Sequence, residues 1–389
     1  MDYLFIFGNT PQLSRLELLT VLSAEHVSAR FLLENQFGAV VQTNHPLEKI
    51  FTLLGGSIKL AMVINSELSL SEGLTLISEH LKMQPSPTFG LSFYGQDKPY
   101  KFLVSAALEI KDNLKQNGIR SRYVLPRHGL ALSSVVIAKQ KVIELILFSK
   151  DTNGKLLLAR TIGLFDFEDW SKRDYDRPEV APKLGMLPPR VARMMVNIGA
   201  SSKELGASFR LLDPFCGVGT IVLEAFLRGA TPIANDIVPQ QIEKTKKNYE
   251  WLVSQYKLEG KNGKFLIHPA QSLSKVLESS SVNSIVTEPD LGSYPPKLEE
   301  GLSLEALYVA CFADWRKILV KEGKVVIALP SFSLRHGSDK VRVSSDLVKN
   351  VIDKVTSMGY SLLAGPIEYA RDQAQVRRNI CVFELRIEK

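Results

Sequence analysis

"LLDPFCGVGT", Leu211 to Thr220, decides how this chain is read: an apolar run ends in aspartate, then turns on two glycines into a helix-like stretch. In an open α/β sheet, ligands sit beyond the carboxyl ends of the strands, where a glycine turn lets the main chain approach them. Gly217 and Gly219 supply backbone conformations closed to other residues, so this segment is expected to be a strand, a ligand-facing loop and the start of a helix.

Working outward, short β-rich runs alternate with helical stretches to the end of the chain. The strand candidates are "RLLD", "ATPIAND", "KFLIHPA", "VNSIVTEP", "KVVIALP", "YSLLAGPIEYA" and "NICVFELRI". Between the first six lie helical segments such as "PQQIEKTKKNYEWLVSQ" and "LSLEALYVACFADWRKILV". Strands separated by helices of this length imply right-handed crossovers and a parallel sheet covered on both faces. No helical pattern separates the last two, so they are expected to pair as an antiparallel hairpin. The fold class is therefore α/β, with a doubly wound, mostly parallel seven-stranded sheet.

The earlier part of the chain is α+β. "DYLFIFG", "RFLLE", "GAVVQT", "KLAMVI", "FGLSFYG", "RSRYVLP" and "KVIELILFSK" read as strands, and "PYKFLVSAALEIKDNLKQNG" as a helix. Between the halves, "FDFEDWSKRDYDRPEVAPKLGMLPP" is rich in charge, aromatics and proline without a clear period. The expected division is residues 1–165, a linker at 166–187, and a ligand-binding domain at 188–389.

Composition narrows the class. The 389 residues exceed one ordinary core, and 45% hydrophobic with 23% charged residues describes a soluble globular protein. The apolar runs are too short to span a bilayer, and the start lacks a signal peptide's basic region and cleavage site, so a cytoplasmic protein without membrane partners is expected. Cys216, Cys311 and Cys381 are too scattered for a disulfide framework or a zinc site. His268 and His336 have no partner suggesting a metal. A net charge of +7 favours a polyanionic partner only modestly.

The ligand follows from residue chemistry. Asp236 ends the second strand, near the roughly twenty-residue spacing at which a carboxylate takes ribose hydroxyls. There is no G-x-G-x-x-G for a pyrophosphate and no Walker lysine. Asp213 lies in the turn itself, where it would repel phosphate and accept hydrogen bonds from an ammonium group. S-adenosylmethionine has a ribose, an ammonium group and no phosphate. The candidate cofactor positions are Asp213, Pro214, Phe215, Gly217, Gly219 and Thr220 in the first loop, Asp236 and Ile237 after the second strand, and Ala270 after the third. The bland alternative is a tight turn with Asp213 as a helix cap.

"VTEPDLGSYPP", Val286 to Pro296, follows the fourth strand, beside the first in this topology. It makes Glu288, Pro289 and Asp290 the candidate catalytic residues; the alternative is a proline-rich loop with surface acids. "DPFCGVGT", "ANDI" and "TEPDLG", preceded by "GMLPPRVARMMVNIGA", resemble the THUMP-containing tRNA guanine-N2 methyltransferases, whose segments run DPFCGTGG, SDI and TDPPYG. "FIFGNTPQLSRLELL" and "RSRYVLP" resemble that family's N-terminal region more weakly. The resemblance implies a ferredoxin-like and THUMP-like N-terminal region that recruits tRNA or other structured RNA by shape. It implies a C-terminal domain that methylates a guanosine amine, with a side-chain oxygen and a proline carbonyl accepting the two amine N–H bonds.

Three departures qualify it. Glu288 replaces Asp or Asn, Asp290 and Leu291 stand where a second proline and an aromatic ring occur, and Pro269 stands where a carboxylate contacts adenine. Tyr294 is a candidate for a displaced stacking ring. A DNA amino-methyltransferase and an inactive RNA-binding protein are the competing readings, and "RDQAQVRRN" is either a phosphate-holding segment or a charged loop.

Overall fold

The structure is a computed structural model that describes residues 1–95, 100–150, 155–180, 186–200, 206–258, 263–292, 300–336, 339–343, 345–370 and 376–386. The chain divides into two compact units, Met1–Leu18 with His26–Asp169, and Leu19–Glu25 with Trp170–Lys389.

The first unit holds strands β1 Asp2–Phe7, β2 Ala29–Asn35, β3 Gly38–Thr43, β4 Ser57–Leu68, β5 Thr88–Tyr94, β6 Arg122–Val124, β7 Ile143–Ser149 and β8 Leu156–Leu164. They form one sheet in the order β2-β3-β1-β4-β8-β7-β5-β6. Its helices are α1 Pro11–Ala24, α2 Glu48–Leu53, α3 Leu70–Lys82, α4 Tyr100–Gln116 and α5 Ser134–Gln140. In α4, buried Leu103, Ala106, Ile110 and Leu114 recur at helical spacing and share a core with Leu74, Ile77 and Leu81 of α3. A capping box, in which Ser69 and Glu72 satisfy each other's backbone amides, starts α3. Inside the sheet, buried Lys59 is paired with buried Glu144 and also donates to the Leu132 carbonyl at 2.7 Å. Strand β8 was not among the sequence candidates, because its apolar run breaks at Arg160 and no period-2 alternation follows.

The second unit holds β9 Arg210–Asp213, β10 Thr231–Asp236, β11 Lys264–Ile267, β12 Val282–Thr287, β13 Leu319–His336, β14 Asp339–Val343, β15 Tyr360–Tyr369 and β16 Val376–Leu385. The path is β11-β10-β9-β12-β13-β16-β15, with β14 paired to β13. Strands β9 to β13 run parallel, whereas β16 is antiparallel to both β13 and β15. The seven-stranded doubly wound sheet and its terminal hairpin are thus as expected, and β14 is an addition. Helices α6 Phe167–Tyr175, α7 Pro189–Gly199, α8 Thr220–Leu227, α9 Pro239–Tyr256, α10 Glu300–Ile318 and α11 Ser345–Ser357 complete the unit. On α10, Tyr308, Cys311, Phe312, Trp315 and Ile318 are fully buried in the largest core.

Within the stretch expected as a linker, Phe167–Tyr175 forms the helix α6. Its buried face is Trp170 and Arg173 rather than aliphatic, so no apolar period announced it. Arg173 lies 3.7 Å from the Trp170 ring centre and donates to buried Glu224 on α8 at 2.6 and 2.7 Å. Glu224 also accepts from Arg193 on α7, which ties three helices together behind the β9 loop.

Candidate active site

At the carboxyl ends of β9, β10 and β12 lies a cavity of about 490 Å³, within the ordinary range for small-molecule sites. Asp213, Pro214, Phe215, Gly217, Thr220, Asp236, Ile237 and Ala270 line it, as do Glu288, Pro289 and Asp290. The candidate cofactor and catalytic residues therefore meet, with Gly219 as the exception. Tyr294 lies outside the described residues.

Asp213 ends β9 with a side chain that is 2% exposed. Its Oδ1 accepts from the Thr287 hydroxyl at 2.7 Å and the Phe215 amide at 3.2 Å, so β12 orients a carboxylate carried by β9. No hydrogen bond from a described residue reaches Oδ2. Burial above all, with smaller contributions from the charges of Asp236 and Glu288 and against the two hydrogen bonds that pull it down, pushes this carboxyl up to about 8. Asp236 is held at both oxygens, by the Val238 amide at 2.9 Å and the Gly217 amide at 3.0 Å. Burial raises its pKa too.

The two glycines do different work. Gly217 has φ of 53° and faces open space where a Cβ would stand, so its backbone borders the cavity freely. Gly219 has φ of 89°, and a Cβ there would meet Thr245 Cγ2 of α9 at 2.8 Å. The turn is closely packed against α9 here, a constraint on Gly219 that the sequence reading did not include. Thr245 in turn donates to the Gly217 carbonyl at 2.7 Å, and Asn248 to the Val218 carbonyl at 2.8 Å. Gly219→Ala should lose about 1–3 kcal/mol through left-handed strain and displaced Thr245. Urea unfolding measures this, and Gly217→Ala, which meets no neighbour, should lose less.

Buried Asn235 of β10 donates to the Pro214 carbonyl at 3.0 Å and the His268 carbonyl at 2.9 Å, joining the loops after β9 and β11. After β12, the loop is fixed by buried Tyr308, whose hydroxyl donates to the Asp290 carbonyl. The Asp290 side chain accepts from the Gly292 amide at 3.0 Å and so shapes its own turn. Glu288 instead points to an ion pair with Arg378 of β16. Burial raises the Glu288 pKa, while Arg378 and the Leu187 amide oppose that.

Sequence reasoning missed Thr287, Tyr308 and Arg378 as neighbours of the site, and Leu187, Gln241, Gln271 and Leu307 as lining. Arg378 was visible only as part of a charged run; its partner could not be read from it.

The donor set fits S-adenosylmethionine. Four carboxyl side chains, of Asp213, Asp236, Glu288 and Asp290, line the cavity and, among the described residues, no lysine or arginine does, which suits a cationic, phosphate-free ligand. Ile237 and Val238 offer exposed apolar surface beside Asp236, as an adenine ring requires. Among the described residues no group of side chains could hold a metal, and no helix is long and apolar enough to cross a membrane.

Comparison with known proteins agrees with this geometry. Residues 179–335 match the RMKL-like methyltransferase domain family. Over 99 residues the chain is 34% identical to a tRNA (guanine(10)-N2)-dimethyltransferase of Methanothermobacter thermautotrophicus, covering 25% of this chain and 28% of that one. Over 178 residues it is 28% identical to the enzyme of the same name from Pyrococcus abyssi, covering 46% and 48%. The chain thus spans about half or less of the length of these curated relatives. Among solved structures, TrmN from Thermus thermophilus matches with a TM-score of 0.60 at 17% identity, over 99% of this chain and all of that one. SMU.472, solved in complex with SAH, matches with a TM-score of 0.54 at 9% identity, over 100% and 98%. The class I methyltransferase fold stands, and the tRNA guanine-N2 names of the two relatives agree with the methyltransferase part of the resemblance read from the motifs.

Proposed function

We propose that this chain is an S-adenosylmethionine-dependent methyltransferase whose acceptor is the exocyclic N2 amine of a guanosine in tRNA. The observation that carries this reading is the meeting, in one cavity with no lysine or arginine in its lining among the described residues, of buried Asp213, amide-held Asp236 and the Glu288–Pro289 pair. The curated relatives bearing a tRNA guanine-N2 name support the acceptor.

When bound, S-adenosylmethionine supplies a methyl group activated on a sulfonium. The residues of the chain bind, orient and accept hydrogen bonds. Asp213 Oδ2 faces the ligand ammonium, Asp236 takes the ribose hydroxyls, and Ile237, Ala270 and Gln271 border the base. Thr287 and the Phe215 amide keep the Asp213 carboxylate turned toward its ligand. A guanine amine is a poor nucleophile because its lone pair is delocalised into the ring. The Glu288 carboxylate and the Pro289 carbonyl accept its two N–H bonds, and both interactions strengthen as the nitrogen becomes positive. Positioning for an in-line displacement contributes much of the remaining rate. Asp290 shapes the loop through Gly292 rather than touching the amine. The first unit is the RNA-recruiting, THUMP-like part, acting through backbone and shape.

Nucleoside mass spectrometry tests this directly. Purified protein, methyl-labelled S-adenosylmethionine and a mixed tRNA pool should yield labelled N2-methylguanosine or its dimethyl form. Label found only in DNA would favour the DNA amino-methyltransferase, and binding of cofactor and tRNA without transfer would favour an inactive binding protein.

A further inference from the structure

Glu288, which lines the cavity, and Arg378 lie 90 residues apart in sequence and form an ion pair. Arg378 sits on β16, in register with Pro330 of β13 and Tyr369 of β15, so β13 separates it from the end of β12 where Glu288 begins its loop. Neighbouring strands are about 4.8 Å apart, which sets the separation across β13 at roughly 10 Å. Only two long side chains reaching toward each other close that gap, and an aspartate would fall short by about one carbon–carbon bond, 1.5 Å. Both side chains are mostly enclosed, at 17% exposed for Glu288 and 13% for Arg378.

We infer that Arg378 is a positioning residue for Glu288: it holds the carboxylate charged and aimed at the acceptor amine, and its place on β16 is why glutamate serves at this position. The inference rests on the proposed methyl transfer for its catalytic meaning, but the pairing has consequences independent of catalysis. Three carboxylates face one another here, Asp213 from β9, Asp236 from β10 and Glu288 from β12, with Asp290 farther along the Glu288 loop. Among the described residues, Arg378 is the cation paired with any of the four. Without it, burial would drive Glu288 toward its neutral acid, whose hydroxyl would donate where the amine also donates. A neutral Glu288 thus loses its role as an acceptor. The guanidinium fork also fixes carboxylate orientation in a way that a point charge does not.

Infrared difference spectra between wild type and Glu288→Gln isolate the Glu288 carboxyl band across a pH series. In an Arg378→Gln background, the Glu288 midpoint should rise by at least one pH unit, a tenfold change in its ionisation constant. Arg378→Met, which keeps more of the apolar stem, should give the same rise and serves if Arg378→Gln does not fold. Single-turnover transfer by either variant should be low at pH 7 and recover as pH rises. Arg378→Lys should keep the midpoint near wild type but transfer several-fold more slowly. A Glu288 midpoint unmoved by removing Arg378, or transfer lost equally at every pH, overturns the inference. If the midpoint rises as stated but wild-type protein methylates nothing at any pH, the pairing stands and the proposed function fails.

Discussion

Replacing Glu288 with alanine is expected to lower single-turnover methyl transfer by about 10²-fold or more, while S-adenosylmethionine binding stays within a few fold. The asymmetry follows from where the side chain works. Glu288 meets an amine that gains positive character only as the new bond forms, so its loss is felt in the transition state. The proposed cofactor contacts fall to Asp213 and Asp236, which keep their own partners, Thr287 and the Gly217 and Val238 amides. Because alanine removes the carboxylate that Arg378 pairs with in a mostly enclosed place, Glu288→Gln is the companion variant. It retains a carbonyl acceptor of the same length and should fall between wild type and alanine. Asp290→Ala should cost much less, because its carboxylate serves the Gly292 amide. If Glu288→Ala transfers at the wild-type rate, the catalytic assignment fails.

The second large effect is expected at Asp213. Asp213→Ala should weaken S-adenosylmethionine binding at least tenfold, about 1.4 kcal/mol, since a hydrogen bond between charged groups is lost. Asp213→Asn keeps acceptors for Thr287 and the Phe215 amide but loses the charge, so it separates electrostatics from geometry. The carboxyl, pushed up to about 8, is protonated in the free protein at neutral pH. A cationic ligand favours its ionised form, so binding below about 8 should release a proton from Asp213. Affinity should then climb with pH, by up to about tenfold per unit, until about 8. The ligand ammonium titrates as well, but its contribution persists in Asp213→Asn and is removed by comparison.

Stability has the opposite sign. Between the unfolded aspartate value near 4 and about 8, the native protein binds more protons at this site than the unfolded chain, so unliganded stability falls as pH rises through that window. Asp213→Asn should flatten that decline in thermal unfolding measured from pH 5 to 9. Calorimetry in buffers of differing ionisation heat reads the proton release, and equal release by wild type and Asp213→Asn would show that Asp213 does not face the ligand cation.

How much of this was legible beforehand depends on how local each signal is. Alternation of β-rich runs with helical stretches, and the absence of a helix between "YSLLAGPIEYA" and "NICVFELRI", determined the parallel sheet and its terminal hairpin. Asp213, Asp236 and Glu288 could be singled out because the first two end apolar strands and Glu288 directly follows one, and parallel strands bring their carboxyl ends to one edge. Turn chemistry also marked Gly217 and Gly219, since a backbone conformation is a property of a few consecutive residues. What the neighbours of those residues are is not local. That Gly219 is needed against Thr245, that Thr287 holds Asp213, and that Tyr308 anchors the Asp290 loop all depend on which helix or strand arrives beside each loop. The same holds for α6, whose buried arginine makes sense only with Glu224 opposite it. Arg378 is the clearest case. In the sequence it is one of three arginines in a charged run, and only the strand order β12-β13-β16 sets it within reach of Glu288. Periodicity and turn residues determine the elements because they act over one or two turns of chain. Side-chain pairing across a sheet is decided by strand order and reach, which no stretch of sequence contains by itself.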